Sequence, residues 1–384
     1  MKIAINTTSA VAGGGVTYIK SLLTYLSKIN TNHQYLILTT LKGKDVFYFQ
    51  HPNFTFLSFR IASRNPLLRI LWEQLILPFI LKKESVDVLF SPGNICPLFS
   101  TIPNVVMIQN LAPFDDAIIT AEHKIQKYRL KLLKILTIAS IKRAKKVIFI
   151  SKKAIRDMKN LGLSLKHANL IYHGKNEELF HENVNVYKKQ QIINKYNLDK
   201  FILYVSNIHR YKNFFELTQA FAMIHNKIDN EIKLVLVGRC FDDGYYDEMI
   251  RFIREKGLEE RVLFLGEVPY DELPFLYASC KLFVYPSTCE NCPNILIEAM
   301  ACGTPILASD IEPMPEICAN AAVYFDPTNP AVIADIILKA LKDQNLISQL
   351  KINSLKRAES FSWENAAMRT FKIFKSIIHL NENN

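Results

Sequence analysis

No stretch of the 384-residue chain is long and apolar enough to read as a membrane span. The best candidate, residues 67–81, is interrupted by Arg69, Glu73, Gln74 and Pro78. It also falls short of the roughly 20 apolar residues a bilayer requires. No signal peptide is expected at the N-terminus. Lys2-Ile3-Ala4-Ile5-Asn6 alternates like a first strand, and Asn6 and Thr7 end it. A cytoplasmic protein is expected. The seven cysteines are an odd count at irregular spacing, which excludes a disulfide framework. Cys289 and Cys292 form a lone C-x-x-C with Cys302 nearby, but no second pair or histidine completes a zinc set. Small buried side chains are the simpler reading. The G-x-G-x-x-G fingerprint is missing, which disfavours a dinucleotide oxidoreductase. No D-x-D stands at a strand end, and Asp115-Asp116 and Asp242-Asp243 read as solvated loop pairs. No metal and no cofactor are therefore expected. Repeats at the short periods of solenoids are absent.

What is present is a globular composition with positive charge. Hydrophobic residues make up 49% and charged residues 22% of the chain. That supports real cores, and the length favours two domains. Only the polar tail at residues 381–384 looks disordered. The net charge of +11 favours polyanions. Basic residues concentrate between Lys124 and Lys159, interleaved with Leu130, Leu132, Leu133, Ile135 and Leu136. Singly, each reads as part of a solvated helix face. Together they read as basic amphipathic helix suited to an anionic membrane surface. Aromatic residues do not alternate with the Lys and Arg side chains as single-strand binders prefer, so no nucleic acid partner is expected.

Strand and helix signals alternate, which predicts α/β units with parallel sheets. In the first half, strands are expected at residues 2–6, 35–39, 86–90, 105–109 and 146–150, with helices at 16–28 and 67–82. A second series has strands at 201–206, 233–238, 262–265, 282–285 and 305–309. Its helices are expected at 214–227, 247–256, 271–279 and 293–302. The polar stretch 173–197 is the expected domain joint, and 362–375 a last amphipathic helix. Two doubly wound halves place ligands at the carboxyl ends of their strands.

The most informative segment runs from Pro286 to Pro305. It reads as strand, loop, helix, stop. Pro293 suits a first helical turn, Gly303 the left-handed residue past the helix end, and Pro305 forbids continuation. The helix start near Pro293 offers unpaired N–H groups and a positive dipole end, a ready diphosphate site. Glu290 sits at the helix mouth and Glu298 farther along. Alone, Glu298 would be an ordinary helix residue. Its neighbours Ile295, Leu296, Ile297, Ala299, Met300 and Ala301 are all apolar, so a buried carboxylate there needs partners.

The spacing Glu290-x7-Glu298, followed by Glu298-Ala299-Met300-Ala301-Cys302-Gly303-Thr304-Pro305, resembles the retaining family 4 glycosyltransferases of the GT-B fold. The resemblance implies two Rossmann-like doubly wound domains facing a central cleft. It implies that Glu290 contacts the donor sugar and Glu298 the ribose, with Asn294 and Ile295 at the donor-facing helix start. Asn291-Cys292-Pro293 departs from the glycine and aromatic residue common there. The loop Tyr204 to Asn213 follows a strand, and Lys212 matches the family lysine on the diphosphate. The usual arginine position is Asn207 here, and Arg210 is the candidate to supply the missing charge. A solvated basic turn is the competing reading. The run Ala12-Gly13-Gly14-Gly15-Val16 permits close backbone approach, and the family uses Gly14 and Gly15 near the donor. Where many relatives carry His-Asp, this chain has Gln109-Asn110, still able to hydrogen-bond a sugar hydroxyl. A plain strand end competes with that reading. Val268, within Gly266 to Tyr270, is similar to the segment lining the base pocket. Ser151 and His173-Gly174 match weaker landmarks.

The expected organisation is an acceptor-binding domain over 1–175, a nucleotide-sugar-binding domain over 176–360, and a C-terminal helix over 361–384 that returns to the first domain. The expected activity is retaining transfer of a hexose from a nucleoside-diphosphate sugar to a glycan or lipid-linked acceptor in bacterial surface-polysaccharide assembly. Lys212, Arg210, Glu290, Gln109 and Asn110 would carry it. Peripheral association with an anionic membrane would fit the basic region. The rivals are a sugar-nucleotide epimerase or hydrolase of the same fold, and a non-catalytic basic binder.

Overall fold

The computed structural model describes residues 1–10, 13–29, 32–61, 65–121 and 124–382. It divides into two compact units, Met1–Gly174 with Trp363–Asn384, and Lys175–Ser362. Ala12 of the glycine run and the last two residues of the tail lie outside the described residues.

The first unit is built on seven strands: β1 (Lys2–Asn6), β2 (Gln34–Thr40), β3 (Phe54–Phe59), β4 (Val88–Ser91), β5 (Asn104–Ile108), β6 (Lys146–Phe149) and β7 (Ala168–Leu170). Their order is β3-β2-β1-β4-β5-β6-β7. The second unit has six: β8 (Phe201–Val205), β9 (Lys233–Val237), β10 (Val262–Gly266), β11 (Leu282–Tyr285), β12 (Ile306–Ser309) and β13 (Ala322–Phe325), ordered β10-β9-β8-β11-β12-β13. Every pairing is parallel. Central strands such as β4, β5, β8 and β11 are buried throughout, which their continuous apolar runs require. In each sheet the order reverses beside the first strand, between β1 and β4 and between β8 and β11. Loops leaving those strands part there, and that is where doubly wound sheets hold ligands.

The edge strands β3, β7 and β13 were not expected from the sequence. The expected helix at 67–82 is two helices, Pro66–Leu75 and Leu77–Lys83. Pro78 lacks the N–H that a continuous helix would use, so the chain resets at Ile76. The expected polar joint holds a helix, Val186–Lys195, and Phe180 is fully buried. The basic region is not one amphipathic helix. It comprises helix Lys124–Arg143, strand β6 and helix Lys152–Asn160. Ser151 caps the last of these, accepting from the Ala154 N–H at 3.0 Å. Asp242 likewise caps helix Asp243–Glu255, accepting from the Tyr245 N–H at 3.0 Å, so Asp242-Asp243 is a helix start rather than a free loop pair.

The last helix, Trp363–Glu382, belongs to the first unit. Trp363 is buried against Tyr18 and His173, with ring centroids 5.8 and 5.2 Å away. Phe374 meets Phe90 at 5.4 Å, and the Arg369 guanidinium donates to the Leu170 carbonyl at 2.7 Å. In the second unit Gly238 has φ 145°, and a Cβ there would lie 1.7 Å from the Ser206 carbonyl oxygen. Only glycine lets the end of β9 approach the loop leaving β8 so closely.

Candidate functional site

In the second unit, β8 and β11 are neighbours, so the loops leaving them are adjacent. They are laced together. Thr288 donates to the Tyr211 carbonyl through its N–H at 2.9 Å and its hydroxyl at 3.0 Å. This lacing brings two expected residues into contact: the Lys212 ammonium is ion-paired with Glu290 Oε1. Both side chains are nearly enclosed, at 11% and 13% exposure. Tyr285 donates its hydroxyl to the same Glu290 oxygen. Tyr204 donates to the Lys212 carbonyl at 2.7 Å, fixing the lysine backbone.

Three residues after Glu290, Pro293 is the N-cap of helix Asn294–Ala301 with extended ψ of 100°. The proline therefore stands just before the first turn instead of within it. It offers no side-chain acceptor, and its carbonyl accepts from the N–H groups of Leu296 at 3.1 Å and Ile297 at 3.4 Å. Glu298 is buried in this helix and accepts from the Tyr270 hydroxyl at 2.7 Å. Burial pushes its carboxyl up from 4.5 to about 7, against the lowering effect of the Tyr270 hydrogen bond. Tyr270 lies in the loop after β10 that also carries buried Val268. Gly303 has φ 67° just past the helix end.

Arg210 does not join this group. Its guanidinium pairs with Asp242 and Glu248, each at 3.3 Å, and lies over the Tyr245 ring. The acids of helix Asp243–Glu255 and its cap absorb the charge the sequence offered to a diphosphate. Asn207 is exposed at the end of β8. Beside it, at the end of β9, stands exposed Arg239, which the sequence reading passed over. Its signal was position alone: the residue after Gly238 at the end of the strand next to β8.

In the first unit a cavity of about 300 Å³ opens at the carboxyl ends of β1, β4 and β5. Gly15, Gln109 and Asn110 all line it. Gly15 lies in the first turn of helix Gly14–Lys28, and a Cβ on it would sit 3.6 Å from Gln109 Oε1. Gly14 opens that helix and is exposed. Asn94, unremarked in the sequence, sets this corner. Its Oδ1 accepts from the N–H groups of Gln109 at 2.8 Å and Asn110 at 2.9 Å, and its Nδ2 donates to the Asn110 carbonyl at 2.7 Å. Arg69, Glu73 and Arg129 complete the charged lining and were likewise missed as a group. Among the described residues, no group of three or more His, Cys, Asp or Glu could hold a metal ion, and no helix is long and apolar enough to cross a membrane.

Two family descriptions match the chain: Glycosyltransferase Family 4 over residues 12–179, and Glycosyl transferases group 1 over residues 186–357. O-antigen chain mannosyltransferase B of Escherichia coli is 32% identical over 187 residues, 48% of this chain and 48% of that protein. An N-acetylgalactosaminyltransferase of Campylobacter jejuni, named as acting on a diphospho-undecaprenol-linked sugar, is 28% identical over 59% of this chain and 55% of its own length. The chain thus spans about half the length of these curated relatives. Sucrose-phosphate synthase of Thermosynechococcus elongatus shares the fold with TM-score 0.79 at 19% identity, covering 99% of this chain and all of that one. Anabaena HepE, solved with UDP-glucose, gives 0.77 at 18% identity over 98% of this chain and 100% of its own.

Proposed function

The chain belongs to the family 4 glycosyltransferases of the GT-B fold, and from that premise we propose that it moves a hexose from a nucleoside-diphosphate sugar to a glycan or lipid-linked acceptor in bacterial surface-polysaccharide assembly. The second unit takes the donor and the first unit the acceptor. The observation that carries this reading is the enclosed Lys212–Glu290 pair just before the start of helix Asn294–Ala301.

In that arrangement Lys212 and the positive dipole end of the helix meet the charge that develops on the departing diphosphate. The donor's anomeric C–O bond to phosphate breaks, and the acceptor oxygen bonds to the same carbon on the same face. The acceptor proton passes to the leaving phosphate oxygen. Glu290 holds a donor hydroxyl and, through Lys212, keeps the ammonium in place. Glu298 takes the ribose hydroxyls, with Val268 and Asn207 as further donor contacts. Gln109 and Asn110 hydrogen-bond the reacting sugar. No metal is invoked, so chelation with EDTA should leave the rate unchanged. The exposed apolar and basic face of helix Lys124–Arg143 supports work at the inner face of a cytoplasmic membrane.

The mannosyltransferase relatives and the UDP-glucose-bound neighbour make GDP-mannose and UDP-glucose the first donors to screen. A bound donor at 100 times its Kd should stabilise the fold by about 2.7 kcal/mol, read as a rise in melting temperature. Transfer from that donor to a lipid-linked glycan, followed by mass spectrometry, should give a product one hexose larger with its anomeric configuration retained. Absence of stabilisation by every sugar nucleotide, together with absence of product, would defeat the reading.

A further inference from the structure

The first unit's cavity holds more charge than a neutral sugar needs. Arg69, from helix Pro66–Leu75, and Arg129, from helix Lys124–Arg143, both line it. Burial disfavours the charge of Arg69, the Glu73 carboxylate offsets part of that, and the Arg129 guanidinium adds to the cost. Among the described residues the single carboxylate in the lining is Glu73, and it is already engaged. Its Oε1 is reached by Asn6 Nδ2 at 3.3 Å and the Thr8 hydroxyl at 2.8 Å. Arg69 Nε stands 3.8 Å from that oxygen, beyond hydrogen-bond reach. The Arg69 Nε–H is buried and has no hydrogen-bond partner among the described residues. A buried charged donor left unmet is costly. Two guanidiniums against one occupied carboxylate leave a net positive cavity, and an anion between them would cancel the repulsion and satisfy the donor.

We propose that Arg69 and Arg129 form an anion subsite for the acceptor, gripping an oxyanion that the acceptor carries next to the sugar held by Gln109 and Asn110. This deepens the reading above and rests on it for the word acceptor. Guanidiniums fit phosphate and carboxylate alike through paired N–H donors. The group is therefore either the diphosphate joining a glycan to its lipid or the carboxylate of an acidic sugar. A volume of about 300 Å³ accommodates one sugar with such a group.

The test uses the full chain with saturating UDP and GDP, so that diphosphate sites for nucleotides are filled. Farnesyl diphosphate and methyl glucuronide are titrated separately by calorimetry, each beside its neutral counterpart, farnesol or methyl glucoside. One anionic probe should bind at least about tenfold more tightly than its neutral counterpart, and Arg69→Gln and Arg129→Gln should each weaken it about tenfold. The probe that binds names the source of the oxyanion. Arg129 is exposed, so Arg129→Gln remains informative even where Arg69→Gln fails to fold. No preference for either anion, or binding that both substitutions leave unchanged, overturns the subsite. Donor hydrolysis measured on the same variants separates the two ideas. If it persists while the anion probes fail, only the subsite falls. If sugar nucleotides never bind while the anion probes do, the subsite stands and the transferase reading falls.

Discussion

The Lys212 ammonium is ion-paired with the Glu290 carboxylate, joining the loop after β8 to the loop after β11. The two residues are far apart in sequence and meet because their strands are neighbours. Tyr285 and Tyr204 hold the pair from below. Lys212→Ala should cut kcat by about 10²–10³-fold, the scale of losing one preorganised charge at the leaving group. It also strands an enclosed carboxylate, which costs about 3 kcal/mol of stability. Glu290→Gln keeps a polar partner for Lys212 and Tyr285, so its melting temperature should move by only a few degrees while transfer is lost. Steady-state kinetics beside thermal denaturation checks both. Full activity in either variant would remove the pair from the mechanism.

Gly238 offers a sharper test of the scaffold than any core residue. Its φ of 145° is one that side chains rarely adopt, and a Cβ would meet the Ser206 carbonyl oxygen at 1.7 Å. Neither backbone segment can retreat without moving β8 or β9. Gly238→Ala should therefore destabilise the protein by at least about 2 kcal/mol. Urea denaturation with an unchanged slope is the measurement. A variant as stable as the parent would mean that the two loops are not so closely packed.

The alternation of apolar runs and helical patterns was enough to read the central strands. β1, β5, β8 and β11 are buried on both faces, so their sequences are nearly continuous apolar stretches. β3, β7 and β13 escaped because they are edge strands with half-buried residues, whose pattern resembles that of a loop. Glu290 and Glu298 were legible because one loop and one helix carry both. The ion pairs of Arg210 were not legible because Asp242 and Glu248 lie on a helix and its cap, reached only after another strand. Asn94 and the Arg69–Glu73–Arg129 group were invisible for the same reason. Each is an unremarkable polar residue until the sheet order places its segment beside the others.

Helix Lys124–Arg143 exposes Ile125, Tyr128, Leu132 and Ile135 along one stripe, with Lys124, Lys127, Lys131 and Lys134 interspersed. Helix Pro66–Leu75 exposes Leu67, Leu71 and Leu75. Both helices also line the first unit's cavity, through Arg69, Glu73, Arg129, Leu133 and Thr137. Binding to vesicles containing phosphatidylglycerol should exceed binding to neutral vesicles by about 1 kcal/mol per participating lysine, and should weaken with added salt. Replacing Ile125 and Tyr128 with Ser should lower the affinity for anionic vesicles while leaving donor hydrolysis intact. Sedimentation with vesicles reads both outcomes, and equal binding to neutral and anionic vesicles would refute the charge contribution.

Glu298 ties stability and nucleotide binding to pH in opposite directions. Burial holds its carboxyl at about 7, above the ordinary 4.5. Between those values the folded chain keeps a proton that the unfolded chain has released. The contribution is present in full below 4.5, fades as pH rises through the interval and is gone above about 7. The gap corresponds to about 3 kcal/mol at most. Glu298→Gln, which cannot ionise, should flatten this part of the stability profile and should be the more stable protein at alkaline pH. Ligand binding runs the other way. A ribose hydroxyl donating to the carboxylate favours its charged form, so nucleotide binding should release a proton near neutrality. Affinity for the nucleoside diphosphate should then tighten as pH rises from about 6 to about 8, and Glu298→Gln should bind weakly at every pH. Calorimetry in buffers of different ionisation enthalpy counts the proton directly. If binding releases no proton near neutrality, or Glu298→Gln keeps the parent's pH dependence, Glu298 does not hold the ribose.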